Sequence, residues 1–154
     1  MIWQTARFQI DLSRPLVMGI VNVTPDSFSD GGKYYSSGEN FSGVLAHCEQ
    51  LIREGADLLD IGGESTRPGA SPVPLEQELA RVLPVVRHAV KLGVPVSVDT
   101  YKPEVMRAVL DLGADIINDI WALRQSGAMQ VVAEHPSCGV CLMHMHREPQ
   151  TMQT

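Results

Sequence analysis

Five short apolar runs, each separated from the next by a longer stretch, constrain the fold of this chain more than any other feature. They fall at residues 16–22, 57–62, 94–99, 115–118 and 139–143, are rich in Val, Ile and Leu, and are too short for helices. They are also too apolar for strands with one solvated face, so they read as buried strands of a parallel sheet. Between them the apolar spacing becomes helical. Residues 41–54 carry Val44, Leu45, Cys48, Leu51 and Ile52 ahead of Gly55, and 75–92 carry Leu75, Leu79, Val82, Leu83, Val86 and Val90 ahead of Gly93. Pro84 falls inside the second of these, where its missing N–H predicts a kink. Residues 103–112 open on Pro103, a favoured first helical residue, and 128–134 predict a further short helix. Residues 1–12 alternate weakly through Ile2, Ala6, Phe8 and Ile10, predicting a hairpin or strand that closes one end of the domain.

Strand and helix in alternation imply right-handed βαβ units. Two architectures satisfy that order, an open doubly wound sheet and a β/α barrel. Neither a G-x-G-x-x-G nor a Walker-type loop follows the first strand, which argues against a dinucleotide-binding open sheet. The 154 residues, 44% hydrophobic, suffice for one packed domain and not for two. A net charge of -6 argues against nucleic acid and anionic membranes as partners, so an anionic substrate must be drawn in by local groups. No apolar run approaches the roughly 20 residues of a membrane span. Residues 1–12 lack the order of a signal peptide, and an odd number of cysteines makes no disulfide framework, so a cytoplasmic location is expected.

Polar residues interrupt the apolar runs at one particular place. Asn22, Asp60, Asp99 and Asn118 each sit at or near the C-terminal end of a predicted strand, where a polar group is costly without a partner. In a β/α barrel those ends form the rim of the site. Four such residues, expected in register on successive strands, point to a binding site more than to four separate helix caps. The loops that follow the first two strands are rich in Gly, Ser, Thr and Asp and able to offer backbone N–H groups to an anion. A solvated surface loop has the same composition, but Phe28 and Arg67 fit a ligand-facing role better. Gly31 and Gly32 give the first loop backbone freedom, and a lid over residues 24–35 is expected.

Met18-Gly-Ile-Val-Asn-Val-Thr-Pro-Asp-Ser-Phe-Ser-Asp-Gly-Gly32 resembles the first signature of the dihydropteroate synthase family, and Asp60-Ile-Gly-Gly-Glu-Ser-Thr-Arg-Pro-Gly69 resembles the second. Ser97-Val-Asp-Thr100, the run Ile117, Asn118 and Asp119, and Leu142-Met-His-Met145 with 149–153 are similar to the next three strand ends. The resemblance implies an α/β fold, a TIM (βα)8 barrel of the pterin-binding type, with about the first five strands in this chain. Residues 1–154 would be the N-terminal part of one such domain. It implies that Asp99 and Asn118 hydrogen-bond a pterin, with Ile120 and Met143 as apolar walls. Asn22 would hold a magnesium ion (Mg2+) carried by the substrate's diphosphate, since hard cations take oxygen ligands. Thr66 would donate to the substrate, while Ser27, Phe28, Arg67 and Pro68 would shape the 4-aminobenzoate site; Asp60 would lie behind these. The reaction implied is displacement of diphosphate from the pterin CH2 by the aryl amine. The full-length form would be a homodimer.

Cys138-Gly-Val-Cys141, followed by His144 and His146, has the look of a metal cluster, but on an extended strand this spacing sends the two cysteines to opposite faces. The family's later strands bring a second aspartate, a lysine and an arginine–histidine pair that do not lie in these residues. The sequence therefore supports two expectations: part of a synthase, or a catalytically incomplete pterin-binding fragment or assembly unit. A related pterin-binding methyltransferase domain shares the fold but not the first two loops.

Overall fold

A computed structural model describes residues 1–24, 41–66 and 69–145. The expectations for Ser27, Phe28, Arg67 and Pro68, and for the lid beyond Thr24, lie outside the described residues. The elements run β1 (Ile2–Gln4), β2 (Gln9–Asp11), β3 (Met18–Asn22), α1 (Ser42–Arg53), β4 (Leu58–Gly62), α2 (Leu75–Ala89), β5 (Val96–Asp99), α3 (Pro103–Asp111), β6 (Ile116–Asp119), α4 (Ala128–Ala133) and β7 (Gly139–Leu142). Pro103 starts α3 with Glu104 in its first turn, where the helix dipole favours an acid. Gly55 and Gly113 follow α1 and α3 with φ of 109° and 103°, a backbone region that side chains disfavour, so each lets the chain turn out of its helix. Pro84 lies inside α2 without ending it.

Strands β3 to β7 form one parallel sheet in the order β3-β4-β5-β6-β7. A doubly wound sheet reverses its strand order partway and places helices on both faces. Neither happens among the described residues. All four helices contribute to a single core: Val44 and Cys48 from α1, Val82 and Val86 from α2, Val105, Met106 and Val109 from α3, and Val131 from α4. They pack on Val21, Leu59, Ile61, Val96, Val98 and Ile117, one side of each strand. Sequential order with helices on one face is the wall of a barrel.

The opposite face has two zones. Its N-terminal end is covered by the predicted hairpin, β1 pairing antiparallel with β2. Ile10 packs with Leu58 and Ile116 there, and Trp3, Phe8, Leu16 and Met18 surround them. Asp115 anchors the hairpin. It is fully buried and accepts hydrogen bonds from the Thr5 hydroxyl at 3.1 Å, from Arg7 Nη2 at 2.6 Å and from the Val96 N–H at 2.9 Å. Thr5 Oγ1 also accepts the Phe8 N–H at 3.0 Å. Thr5→Val should therefore cost about 1–2 kcal/mol, read as a lower urea midpoint with ligand affinity unchanged; an unaltered midpoint would show that the Thr5 hydroxyl adds nothing net to the seating of the hairpin. Among the described residues no helix is long and apolar enough to cross a membrane.

Candidate active site

The carboxyl ends of the strands carry the polar zone of the same face. Strand register sets Asn22 beside Gly62, Gly62 beside Asp99, Asp99 beside Asn118, and Asn118 beside Cys141. Residues in one register row project on one side, so this is a single band across the sheet. Three of the four polar residues expected in register are in it. Asp60 is not, and this corrects the sequence reading. It pairs with Ile20 and Ser97, one side-chain layer deeper, and Gly62 stands in the row instead. Without a side chain, Gly62 leaves the flank of Asp99 uncovered; a Cβ there would make ordinary contact, 3.4 Å from the Asp99 Cβ.

Burial governs the electrostatics of the band. Asp60 is 5% exposed and accepts hydrogen bonds from Ser97 Oγ at 2.7 Å and Asn118 Nδ2 at 3.2 Å. Burial raises its pKa above the ordinary aspartate value, and those two bonds oppose the rise. Asp99 is less well served. Its Oδ1 is buried without a hydrogen-bond partner among the described residues. Burial first, then the charges of Asp60, Glu78, Asp119 and Glu64, push its carboxyl up to about 7. A buried acceptor left empty by the protein is one that a ligand donor can fill.

A second constellation stands beside the band. Lys102 Nζ lies 2.6 Å from Glu64 Oε2 and 2.5 Å from Glu78 Oε2. Tyr101 donates to Glu64 at 2.6 Å, and Thr100 Oγ1 donates to Glu78 at 2.8 Å. Burial works to lower Lys102, but the hydrogen bonds and charges of the two glutamates outweigh it and hold the ammonium at about 12. Glu64 also accepts the Val73 N–H at 3.2 Å, and Arg81 donates to the Gly63 carbonyl at 2.8 Å. The loop after β4 is thus held at its base by side chains of α2 and the β5 end, with Thr66 half-buried beyond it.

Asp119 orders the next segment. Its carboxylate accepts the N–H groups of Trp121 and Leu123, each at 2.8 Å, which supports positive φ at Ala122 and Leu123. Residues rarely adopt that region unless the surroundings hold them there. The turn carries Ile120, 9% exposed, and the Met143 N–H binds the Asp119 carbonyl at 3.2 Å. Both expected wall residues therefore leave the sheet beside Asn118. Asn22 is exposed at the end of β3. Of the CxxC residues, Cys138 is partly buried and Cys141 exposed, and both are free thiols. A shallow groove between α3 and α4, lined by Arg107, Asp111 and Gln130, lies on the outer helical layer, away from this chemistry.

Sequence reasoning passed over Glu64, Glu78, Tyr101 and Lys102. Lys102 had a visible signal, a cation three residues after Asp99 at a strand end. Glu78 had none, since a glutamate in the first turn of a helix ordinarily faces solvent.

A one-sided β/α wall with a polar band at the carboxyl ends of its strands is the ligand-binding part of a barrel protein. The pterin binding enzyme family matches residues 18–154, and the chain belongs to that family. The dihydropteroate synthase of Neisseria meningitidis serogroup B is 54% identical over 153 residues, covering 99% of this chain and 53% of that enzyme. Burkholderia cenocepacia dihydropteroate synthase, solved with 7,8-dihydropteroate, superposes with a TM-score of 0.83 at 54% identity, covering 98% of this chain and 49% of that one. The Xanthomonas albilineans enzyme, solved with 4-aminobenzoic acid, gives 0.84 at 54% identity over 96% of this chain and 53% of that one. The five-stranded wall is thus part of a pterin-binding β/α barrel, and the chain spans about half the length of the relatives it matches.

Proposed function

We propose that the protein carrying this chain acts as a dihydropteroate synthase. It joins 6-hydroxymethyl-7,8-dihydropterin diphosphate to 4-aminobenzoate, giving 7,8-dihydropteroate and diphosphate. The observation that carries this reading is the unsatisfied Asp99 acceptor beside Asn118 in the strand-end band. A pterin edge presents an amino group next to a ring N–H, and a carboxylate takes such donors in short charge-assisted bonds. Ile120 and Met143 supply apolar contact for the flat ring. In the reaction the exocyclic C–O bond breaks as the C–N bond forms. Diphosphate leaves with the bonding pair and the amine gives up its proton. The chain's residues hold the pterin so that its CH2 stays at the open end of the band, near Asn22 and the loop bearing Thr66.

Asn22 offers an exposed amide oxygen at that end, and among the described residues no group of His, Cys, Asp and Glu is arranged to hold a metal. This donor set fits a magnesium ion that arrives on the diphosphate. When bound, the ion would offset charge on the leaving group. The free Cys48, Cys138 and Cys141 suit the reducing cytoplasm that the same reading requires.

The test is formation of dihydropteroate by a complete barrel polypeptide carrying these residues, supplied with both substrates. Product that does not depend on 4-aminobenzoate, or no product from a folded polypeptide that binds pterin, would refute the assignment. A pH dependence follows as well. Asp99 accepts best when ionised, and its carboxyl titrates at about 7. Affinity for 6-hydroxymethylpterin should therefore rise with pH through that value and level off above it, as fluorescence quenching would show. A flat profile from pH 5 to 9 would detach the pterin from Asp99.

A further inference from the structure

We infer that Asp60 is a positioning residue: it locks the Asn118 amide with its NH2 turned into the sheet and its carbonyl oxygen turned toward the ligand. This rests on the pterin reading for the ligand's identity, but not for the geometry. Asp60 sits one layer below the band, paired in register with Ser97 and not with Asn118. Its two oxygens are each taken, Oδ1 by the Ser97 hydroxyl at 2.7 Å and Oδ2 by Asn118 Nδ2 at 3.2 Å. Ser97 is fully buried, so the carboxylate is pinned from its own layer.

An asparagine amide can be turned either way, and its neighbours decide which end faces where. A carboxylate only accepts, so the Asn118 end on Asp60 must be the NH2. The amide oxygen then lies on the far side, next to Asp99 in the register row. The band consequently shows a ligand two adjacent acceptors, Asn118 Oδ1 and the ionised Asp99 carboxylate. That pattern favours a heterocycle edge bearing neighbouring donors. The discrimination is set by a residue that does not itself stand in the row.

Reversing the polarity of the pair tests this. Asp60→Asn keeps the Ser97 hydroxyl bonded to the new amide oxygen, but its NH2 now faces Asn118, which must rotate and present its own NH2 to the ligand. In a complete barrel polypeptide carrying these residues, affinity for 6-hydroxymethylpterin should fall about tenfold or more, the scale of losing one good acceptor and gaining a mismatched donor. Combining Asp60→Asn with Asn118→Asp restores a donor below and an acceptor above, and should recover most of the lost affinity. A purely structural role for Asp60 would not give recovery from a second substitution in the pocket. Wild-type affinity in Asp60→Asn, or no recovery in the double variant while both melt cooperatively, would overturn the inference.

The side-chain amide signal of Asn118 supplies a ligand-free readout. Its NH2 protons should exchange slowly in the unsubstituted protein and quickly in Asp60→Ala. Slow exchange in a protein that binds no pterin would overturn the pterin reading and leave the amide assignment standing. Fast exchange in the unsubstituted protein would overturn the assignment itself.

Discussion

Asp99→Asn should make the protein more stable and worse at binding pterin. Asp99 is held with its carboxyl pushed up to about 7 from an ordinary 3.8, chiefly by burial. The folded state therefore favours the protonated form more than the unfolded chain does. The stability that goes with that proton is fully present below the unfolded value and is lost as pH rises through about 7. Asparagine has no proton to lose and brings no charge next to the carboxylates that now repel Asp99. At pH 8 the variant should gain about 2–3 kcal/mol; below pH 4 the gain should vanish. Pterin affinity should fall by roughly 1.5–3 kcal/mol as a charge-assisted bond is lost, with 4-aminobenzoate affinity much less affected. Urea titrations at the two pH values and calorimetry with each ligand check both halves. A variant destabilised at pH 8, or one with unchanged pterin affinity, would remove Asp99 from its assigned place.

The opposite result is expected at Lys102. Its ammonium sits between Glu64 and Glu78, whose side chains are 9% and 1% exposed. Lys102→Met leaves two carboxylates together in a buried setting without their counter-ion. Breaking such a cluster from one side should cost about 3–5 kcal/mol. Because Glu64 also grips the Val73 N–H and the Tyr101 hydroxyl, the loop after β4 should loosen with it. Adding Glu78→Gln to the variant removes one of the stranded charges and should return part of the stability. If the single variant unfolds at the wild-type denaturant midpoint, the cluster contributes no net stability, as some buried ion pairs do not.

The strand and helix pattern was legible because each element announces itself through local apolar spacing. Its limits were less so, and for a specific reason. Asp57 and Asp115 look like strand openings in the sequence, yet both lie just outside the strands and use their carboxylates elsewhere. Asp57 accepts the Val17 N–H and pairs with Arg14, while Asp115 takes Thr5 and Arg7 of the hairpin. These partners are 40 to 110 positions away, out of reach of any local pattern. The same blindness set Asp60 in one register row with Asn22, Asp99 and Asn118, although the resemblance put it behind them. An apolar run shows that a strand exists but not how it slides against its neighbour, and a shift of one layer separates a residue that faces ligand from one that supports it. Glu78 and Lys102 were hidden differently, as charges that would be ordinary surface residues if each lacked the other.

The hairpin that closes the amino end of the strands also has a history in time. Its own pairing is local and forms within about 1–10 μs. Its anchor, Asp115, lies 108 residues beyond Arg7. At a synthesis rate of about 5–20 residues per second, the hairpin is complete for many seconds before its docking partner leaves the ribosome. During that interval Trp3, Phe8 and Ile10 have nowhere of their own to go. A hairpin made well before its anchor is thus seated late, and whatever shields those side chains on the nascent polypeptide decides how much of it reaches the native state.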